Sequence, residues 1–234
     1  MENTVNFKVY GRYALFADPL SKIGGDKCSY QIPTYEAIKG IARSIYWKPT
    51  FIWVIDRIRI MNRIRTESKN IKVPKMTGGN TLAIYNYLAD VEYQVEAHFE
   101  WNMFRDDSYA EDRIEGKHYE IAKRMIAKGG RRDVFLGARE CQAYVKPCIF
   151  GEGTGEYDND GDLIFGMMFH GFDYPEESGK NELVSRFWRP KICNGIIEFP
   201  RPEDCEIRKT VREMNPEPLK SVGLKEEALA NELD

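Results

Sequence analysis

From residue 90 to residue 101 the chain alternates with a period of two. Val91, Tyr93, Val95, Ala97, Phe99 and Trp101 share one parity, and Asp90, Glu92, Glu96 and Glu100 share the other. Such a pattern describes a long strand with one buried and one wet face, the usual form of an antiparallel sheet covered on one side. The stretch 51–66 repeats it, with Ile58, Ile60 and Ile64 set against Arg57, Arg59, Arg63 and Arg65. If these two strands pair, arginines meet carboxylates across the ladder, so the basic stripe reads first as structural neutralisation and second as an anion surface. His98 lies on the acidic face; exposed strand polarity is the favoured reading there over a Glu96-x-His98-x-Glu100 metal site. The two β patterns, 51–66 and 83–101, are joined by ESKNIKVPKMTGGNTL. Its Pro74 and Gly78-Gly79 predict a long hairpin tip.

The remaining elements arrange themselves around this pair. TVNFKVY at 4–10 predicts a first strand, and DPLSKIGGDKCSY an ordered loop. PTYEAIKGIARSIYW predicts a helix: Thr34 is a good N-cap, Ile38, Ile41, Ala42 and Ile45 recur at helical spacing, and Lys48-Pro49 stops it. A second helix is predicted over 116–128, closed by Gly129-Gly130, and ARECQAYV at 138–145 would be a fourth strand. The order β-α-β-β-α-β fits the α+β class and a ferredoxin-like (RRM-like) split βαβ core. Further strands with turns at Asp160-Gly161 and Asn194-Gly195 predict a C-terminal antiparallel β extension. The division expected is a core over 1–147, an extension over 148–205, and a charged tail over 206–234 with a short helix at 223–233 or partial disorder.

Composition narrows the function classes. The longest apolar run near the N-terminus, FIWVI, is too short to span a bilayer, and the first residues lack the plan of a signal peptide. Five cysteines without a CxxC pair suggest reduced thiols and a cytoplasmic location, with Cys141 and Cys148 packing as small hydrophobes. Residues 1–147 carry 24 Lys and Arg against 18 Asp and Glu, the remainder 10 against 19. A polyanionic partner is allowed on the first part only.

Candidate sites follow from charge and spacing. Lys69, Lys72 and Lys75 on the hairpin tip have Glu67 as their one acid, so the tip reads equally as a solvated loop or as a clamp on a phosphate chain. DNDGD at 158–162 lacks the EF-hand spacing, with Phe169 where a closing Glu is needed, and reads as a hairpin turn. His118 falls on the helix face that should pack on the sheet, beside Ile121, Ala122 and Met125, so a hydrogen-bonded core histidine is the plain reading. Two features oppose it. The residue opens a helix, where free N–H groups favour anions, and Lys117 puts a cation where the macrodipole favours an acid. No HExxH, CxxC, Walker loop or GxSxG is present, and no cofactor or metal is expected. A histidine with a lysine suits attack of a ribose 2′-hydroxyl on its own phosphodiester: one group moves the proton, the other steadies the crowded phosphorane.

The stretches YALFADPLSKIGG, SYQIPTYEAIKGIARSIYWKPT, EGKHYEIAKRMIAKGGRRDVFLGARECQAYV, MFHGFDYP and NGIIEFPRPEDC together resemble the CRISPR-associated repeat-RNA endoribonucleases of type I-C systems. These are a divergent branch of the Cascade fifth-subunit family, within the RAMP superfamily. The resemblance covers about residues 5 to 205 and implies metal-independent cutting of precursor CRISPR RNA at the repeat hairpin. The products would carry a 5′-hydroxyl and a 2′,3′-cyclic phosphate or 3′-phosphate. It further implies that the protein stays on the guide 5′ handle beside other interference-complex subunits, with duplex DNA left open as a partner and no membrane. The family's catalytic residues carry onto Tyr46, Lys117 and His118. His118 would be the acid/base, Lys117 the phosphorane stabiliser, and Tyr46, at a rim position, would position or donate. Arg131, Arg132 and Arg139 become candidate RNA contacts, although Arg139 reads equally as a structural strand residue. No RNP1-like motif occurs, which directs recognition toward the helix-side cleft and loops. Two other readings stay open: a non-catalytic RNA-binding subunit, and a small-molecule enzyme on the same scaffold.

Overall fold

The computed structural model describes residues 3–18, 26–105 and 107–216. Its strands and helices are β1 (Val5–Ala14), β2 (Lys27–Cys28), α1 (Tyr35–Ile45), β3 (Phe51–Ile60), β4 (Thr66–Pro74), β5 (Asn80–Trp101), α2 (Lys117–Ala127), β6 (Val134–Phe135), β7 (Gln142–Pro147), β8 (Asp162–Ile164), β9 (Met168–Asp173), α3 (Pro175–Ser178), β10 (Glu182–Trp188), β11 (Lys191–Cys193), β12 (Ile196–Glu198) and β13 (Ile207–Glu213). The fold is mixed α+β, dominated by antiparallel sheet. One large sheet runs β6-β7-β1-β5-β3-β12-β11-β8, and β13-β10-β9 form a second.

The alternating stretch is the spine. β5 pairs with β1 along one edge (Val5↔Ala97, Ala14↔Leu88). Along its other edge it takes β3 (Phe51↔Trp101, Ile60↔Tyr93) and then β4 (Thr66↔Leu88, Pro74↔Asn80). Tyr93, Val95, Ala97 and Phe99 are buried, as the period of two requires. They meet Phe7 and Val9 of β1, the Ile38-Ile41-Ile45 face of α1, and Ala122 and Ile126 of α2. Each of those isoleucines contributes roughly 2 kcal/mol by burial. Thr34 caps α1 by accepting from the Ala37 N–H at 3.2 Å.

The arginine stripe is neutralised, by two sets of acids. Arg57 bonds Glu96, its partner across the β3–β5 ladder, at 2.7 Å, and Arg65, just before β4, bonds Asp90 at 3.0 Å. The other two turn to the DNDGD segment: Arg59 bonds Asp158 at 2.6 Å and Arg63 pairs with Asp160. That segment does not join two paired strands as a hairpin turn would, since β8 pairs with β11. Asn194-Gly195 does turn a hairpin, β11 to β12, with both residues at positive φ. His98 bridges Asp56 (2.9 Å) and Glu100 (3.4 Å) as ordinary strand polarity.

Other sequence expectations are corrected. The strand read over 51–66 ends as β3 at Ile60, so Arg63 and Arg65 stand in the link to β4. The hairpin tip is largely ladder, so Lys69 and Lys72 are strand residues and only Lys75 stands at the turn. The fourth core strand starts at Gln142, because 136–141 form the β6–β7 turn. Part of the loop after β1 is strand β2, while residues 19–25 lie outside the described residues. The stretch read as tail from 206 begins with β13, paired to β10; the helix expected at 223–233 lies outside the described residues.

The residues after β8 fold back over the polar side of α1. Lys39, 2% exposed, pairs with Glu177, and Tyr35 stacks on His170 with centroids 4.2 Å apart. His170 is fully buried, its Nε2 bonded to the Pro200 carbonyl at 3.1 Å, and burial with the nearby Arg186 charge pushes its pKa down to about 3. It is a core histidine. Arg186 in turn pairs with Asp173, which also takes Arg208 at 2.5 Å.

Two outcomes test these contacts. Arg59 is 5% exposed and also donates to the Glu152 and Gly153 carbonyls. Arg59→Ala is expected to cost about 3 kcal/mol, seen as a lower urea midpoint at unchanged slope. The hydrogen bond to Asp56 raises the His98 pKa above its ordinary value. Its contribution is therefore complete below the unfolded value near 6.5 and lost as pH rises through the folded one. The stability gap between wild type and His98→Asn is expected to narrow as pH rises across that window.

Candidate active site

α1 ends at Ile45, and the next residue, Tyr46, is already extended (φ −158°, ψ 132°). Its backbone is held from both sides: its N–H donates to the Ala42 carbonyl at 3.1 Å, and its carbonyl accepts from the Trp53 indole at 2.8 Å. That fixed exit from the helix directs the phenol at α2, where its hydroxyl lies 2.8 Å from His118 Nδ1. α2 starts after Gly116, at φ 73°, and has no side-chain N-cap. Its first two residues are Lys117 and His118.

The His118 ring is 0% exposed. Phe51, Trp101 and Phe99 surround it with centroids at 5.3, 5.7 and 6.4 Å. The remaining side is closed by Asp112, the last residue of a 3-10 turn over Asp107–Asp112. The Asp112 backbone carbonyl lies 2.7 Å from Nε2 and its carboxylate Oδ2 lies 3.5 Å away. A carbonyl oxygen only accepts, so Nε2 carries the hydrogen. In the neutral ring Nδ1 is then an acceptor, and the Tyr46 hydroxyl donates to it. The Asp112 carboxylate also accepts from the Lys117 ammonium and, at 2.8 Å, from the Thr50 hydroxyl. Burial works to raise its pKa, but the bonds from Lys117 and Thr50 outweigh that and hold it below the usual range. Burial first and the Asp112 charge second push the Tyr46 phenol up to about 12. Tyr46 is therefore a donor near neutral pH and not a base.

Tyr46, Lys117 and His118 thus converge. Tyr46 does not occupy a rim, however: it is 3% exposed, and Lys117 alone reaches solvent. The basic residues divide. Arg131 and Arg132 are exposed beside the end of α1, their N–H groups bonded to the Ile45 and Ser44 carbonyls, and the Arg131 charge acts against the rise of the Tyr46 pKa. Arg139 is an exposed residue of the β6–β7 turn and not a strand residue. Lys69 sits opposite Tyr85 and covers the Tyr13 ring at 3.5 Å, while Lys72 and Lys75 are exposed. From Tyr85 to Phe99 the spine covers roughly 45 Å at the rise of a strand. The hairpin lysines and the Lys117-His118 pair therefore cannot hold the same phosphate.

Asp112 and Thr50 were missed in the sequence. The available signal was a helix opening on Lys117 without a capping side chain, a defect that an acid just upstream repairs. In the free protein the neutral His118 ring is expected as the Nε2–H tautomer, read from long-range 1H–15N correlations. A Nδ1–H tautomer would contradict the bond to the Asp112 carbonyl.

Comparison with known proteins identifies the family. Residues 4–200 match the family model Cas_Cas5d, CRISPR-associated protein (Cas_Cas5). Two curated relatives bear the name CRISPR pre-crRNA endoribonuclease Cas5d. The protein from Mannheimia succiniciproducens is 28% identical over 86% of this chain and 96% of its own. That from Thermus thermophilus is 30% identical over 86% and 93%. Among solved structures, one titled as a CRISPR-associated protein superposes with a TM-score of 0.75 at 34% identity, covering 89% of this chain and 97% of that one. A functionally uncharacterized protein from Streptococcus mutans gives 0.73 at 37%, covering 89% and 98%. With the family model matched along most of its length, this chain belongs to the type I-C Cas5 family of CRISPR-associated proteins.

Proposed function

We propose that the chain is a precursor-CRISPR-RNA endoribonuclease that cuts at the repeat hairpin and stays on the guide 5′ handle within a type I-C interference complex. The observation that carries the chemistry is the Asp112 carboxylate, an anion held at once by Lys117 and within 3.5 Å of His118 Nε2. It stands where the scissile phosphate would sit. Support for the substrate comes from the two relatives' names and from their match along most of the chain. The strand order β7-β1-β5-β3, with α1 and α2 as the crossovers, supports reading residues 1–147 as a ferredoxin-like RAMP core and 148–205 as its β extension.

In this reading RNA draws the turn ending at Asp112 away, freeing Lys117 and His118 Nε2 together. The ribose 2′-oxygen bonds to phosphorus as its proton leaves to a base, and the bond to the 5′-oxygen breaks as that oxygen gains a proton. The products are a 2′,3′-cyclic phosphate and a 5′-hydroxyl, and no metal takes part. His118 moves protons and Lys117 neutralises the phosphorane. The Tyr46 hydroxyl, able to donate or accept, holds Nδ1 through either tautomer. Arg131 and Arg132 beside the end of α1 serve as phosphate contacts; the distant Lys69, Lys72, Lys75 and Arg139 act on other parts of the RNA.

The sealed His118 ring favours one alternative, a non-catalytic RNA-binding subunit in which the histidine only packs. A single set of measurements separates the two. His118→Ala is expected to lower single-turnover cleavage of repeat RNA by at least about 10²-fold. Hairpin affinity is expected to stay near wild type at a temperature where the variant is folded, while its melting temperature falls, because the change opens a cavity among Phe51, Phe99 and Trp101 and leaves the buried Tyr46 hydroxyl without its partner. Lys117→Ala, at an exposed position, is expected to lose about 10²-fold without any folding change. A single 2′-deoxy at the scissile nucleotide is expected to block cutting. Normal cutting by either variant removes that residue from the mechanism, and cutting of the deoxy substrate makes water the nucleophile.

A further inference from the structure

The face of the large sheet turned away from α1 and α2 is unevenly covered. The segment after β7 lies across its middle, where the Gly151 N–H donates to Gln94 and the Glu152 carbonyl accepts from both Gln94 and Arg59. Over β7 the same face is exposed, and over Asn6, Lys8 and Tyr10 of β1 it is half-buried. Tyr10 and Tyr144 stand directly opposite each other across that ladder, ring centroids 5.8 Å apart, with Tyr144 55% exposed. Lys8 and Lys146 form the next same-face pair, and both ammonium groups lie over the Tyr10 ring, at 5.9 and 5.3 Å. Lys8 has Glu92 at 3.1 Å, whereas no carboxylate among the described residues lies within 4.0 Å of Lys146. β6 pairs only with Gln142 and Ala143, so among the described residues β7 from Tyr144 onward has no strand on its outer edge.

A tyrosine pair across a ladder is explained by packing alone. Two lysines facing each other are not, because like charges opposite one another weaken a sheet. An exposed ring, Tyr144, against a half-buried one, Tyr10, beside cations without full neutralisation suits a ligand with flat faces strung on a negative backbone. We propose that this β1–β7 face is a stacking platform for unpaired nucleotides flanking the repeat hairpin. A base lies on Tyr144 and Tyr10, and the backbone phosphate beside it meets Lys146 and Lys8. The inference rests on the RNA reading above, but on binding and not on cutting. The platform lies across the sheet from α2, so RNA leaving the His118 site reaches it by passing around the β7 edge.

The test compares a repeat hairpin carrying its single-stranded flank with the same hairpin trimmed to the duplex, using fluorescence anisotropy and the full-length protein. Tyr144→Ala is expected to weaken the flanked RNA about tenfold and leave the trimmed hairpin unchanged. Tyr144→Phe, which keeps the ring, is expected to bind both as wild type does. Lys146→Ala is expected to flatten the salt dependence for the flanked RNA by about 0.7 in logarithmic slope. Saturated cleavage rates are expected to stay unchanged throughout. Equal binding of the flanked RNA by Tyr144→Ala and wild type overturns the proposal. So does an equal loss on both RNAs, and so does normal RNA binding combined with failure to join other complex subunits, which would make the face a protein contact. If the nuclease reading fails instead, wild type does not cut, yet the flank-dependent affinity and its loss in Tyr144→Ala remain measurable.

Discussion

Asp112 closes the His118 pocket, and the order of the site depends on that contact. Its carbonyl takes the outward ring hydrogen, which assigns the inner nitrogen to Tyr46. Its carboxylate supplies the anion that an uncapped helix beginning on Lys117 needs. Thr50 and Arg113 hold the turn in place, the latter through the Asn102 carbonyl at 2.9 Å. One residue therefore meets the polar demands of three groups in a pocket walled by Phe51, Phe99 and Trp101. On the outer side a single turn of chain covers the ring, and not a layer of core, which is what the role proposed for His118 requires.

That cover rests on a stiff frame. β5 carries strands on both edges from Tyr93 to Ala97, and its end delivers Phe99 and Trp101 to the ring. Asn102, just beyond it, takes the Thr50 carbonyl through its N–H and donates from its side chain to the Glu176 carbonyl at 2.9 Å. The last strands and α3 press on α1 through Lys39–Glu177 and the Tyr35–His170 stack. Buried ion pairs of this kind add little net stability but are costly to break from one side. They hold the first half of α1, while its exit at Tyr46 is held by the bonds to the Ala42 carbonyl and the Trp53 indole.

Periodicity made much of this visible beforehand. Strict alternation located β5 and its buried face, Thr34 and the isoleucine spacing located α1, and the positive-φ glycines after α2 marked its end. The conversion of the 67–82 tip into ladder was hidden because its strand residues are mostly exposed, leaving no apolar parity to read. Arg59 and Arg63 pairing with Asp158 and Asp160 was hidden for another reason: the partners lie far away in sequence, and no local pattern links them. The convergence of Tyr46 with His118 was reached only through the family resemblance, since residues on two different helices share no spacing. Asp112 escaped both routes. The β1–β7 face was equally illegible, because which side of a sheet is covered depends on where a later loop, Gly151 to Asp158, comes to rest.

The ends of the cut RNA report the chemistry of the cut most directly. Incubation of the full chain with a cognate repeat in excess chelator, followed by mass spectrometry of the fragments, reads those ends. A 2′,3′-cyclic phosphate or its 3′-phosphate product on one fragment and a 5′-hydroxyl on the other is the expected result. A 3′-hydroxyl with a 5′-phosphate, or cutting that stops with the chelator, would contradict it.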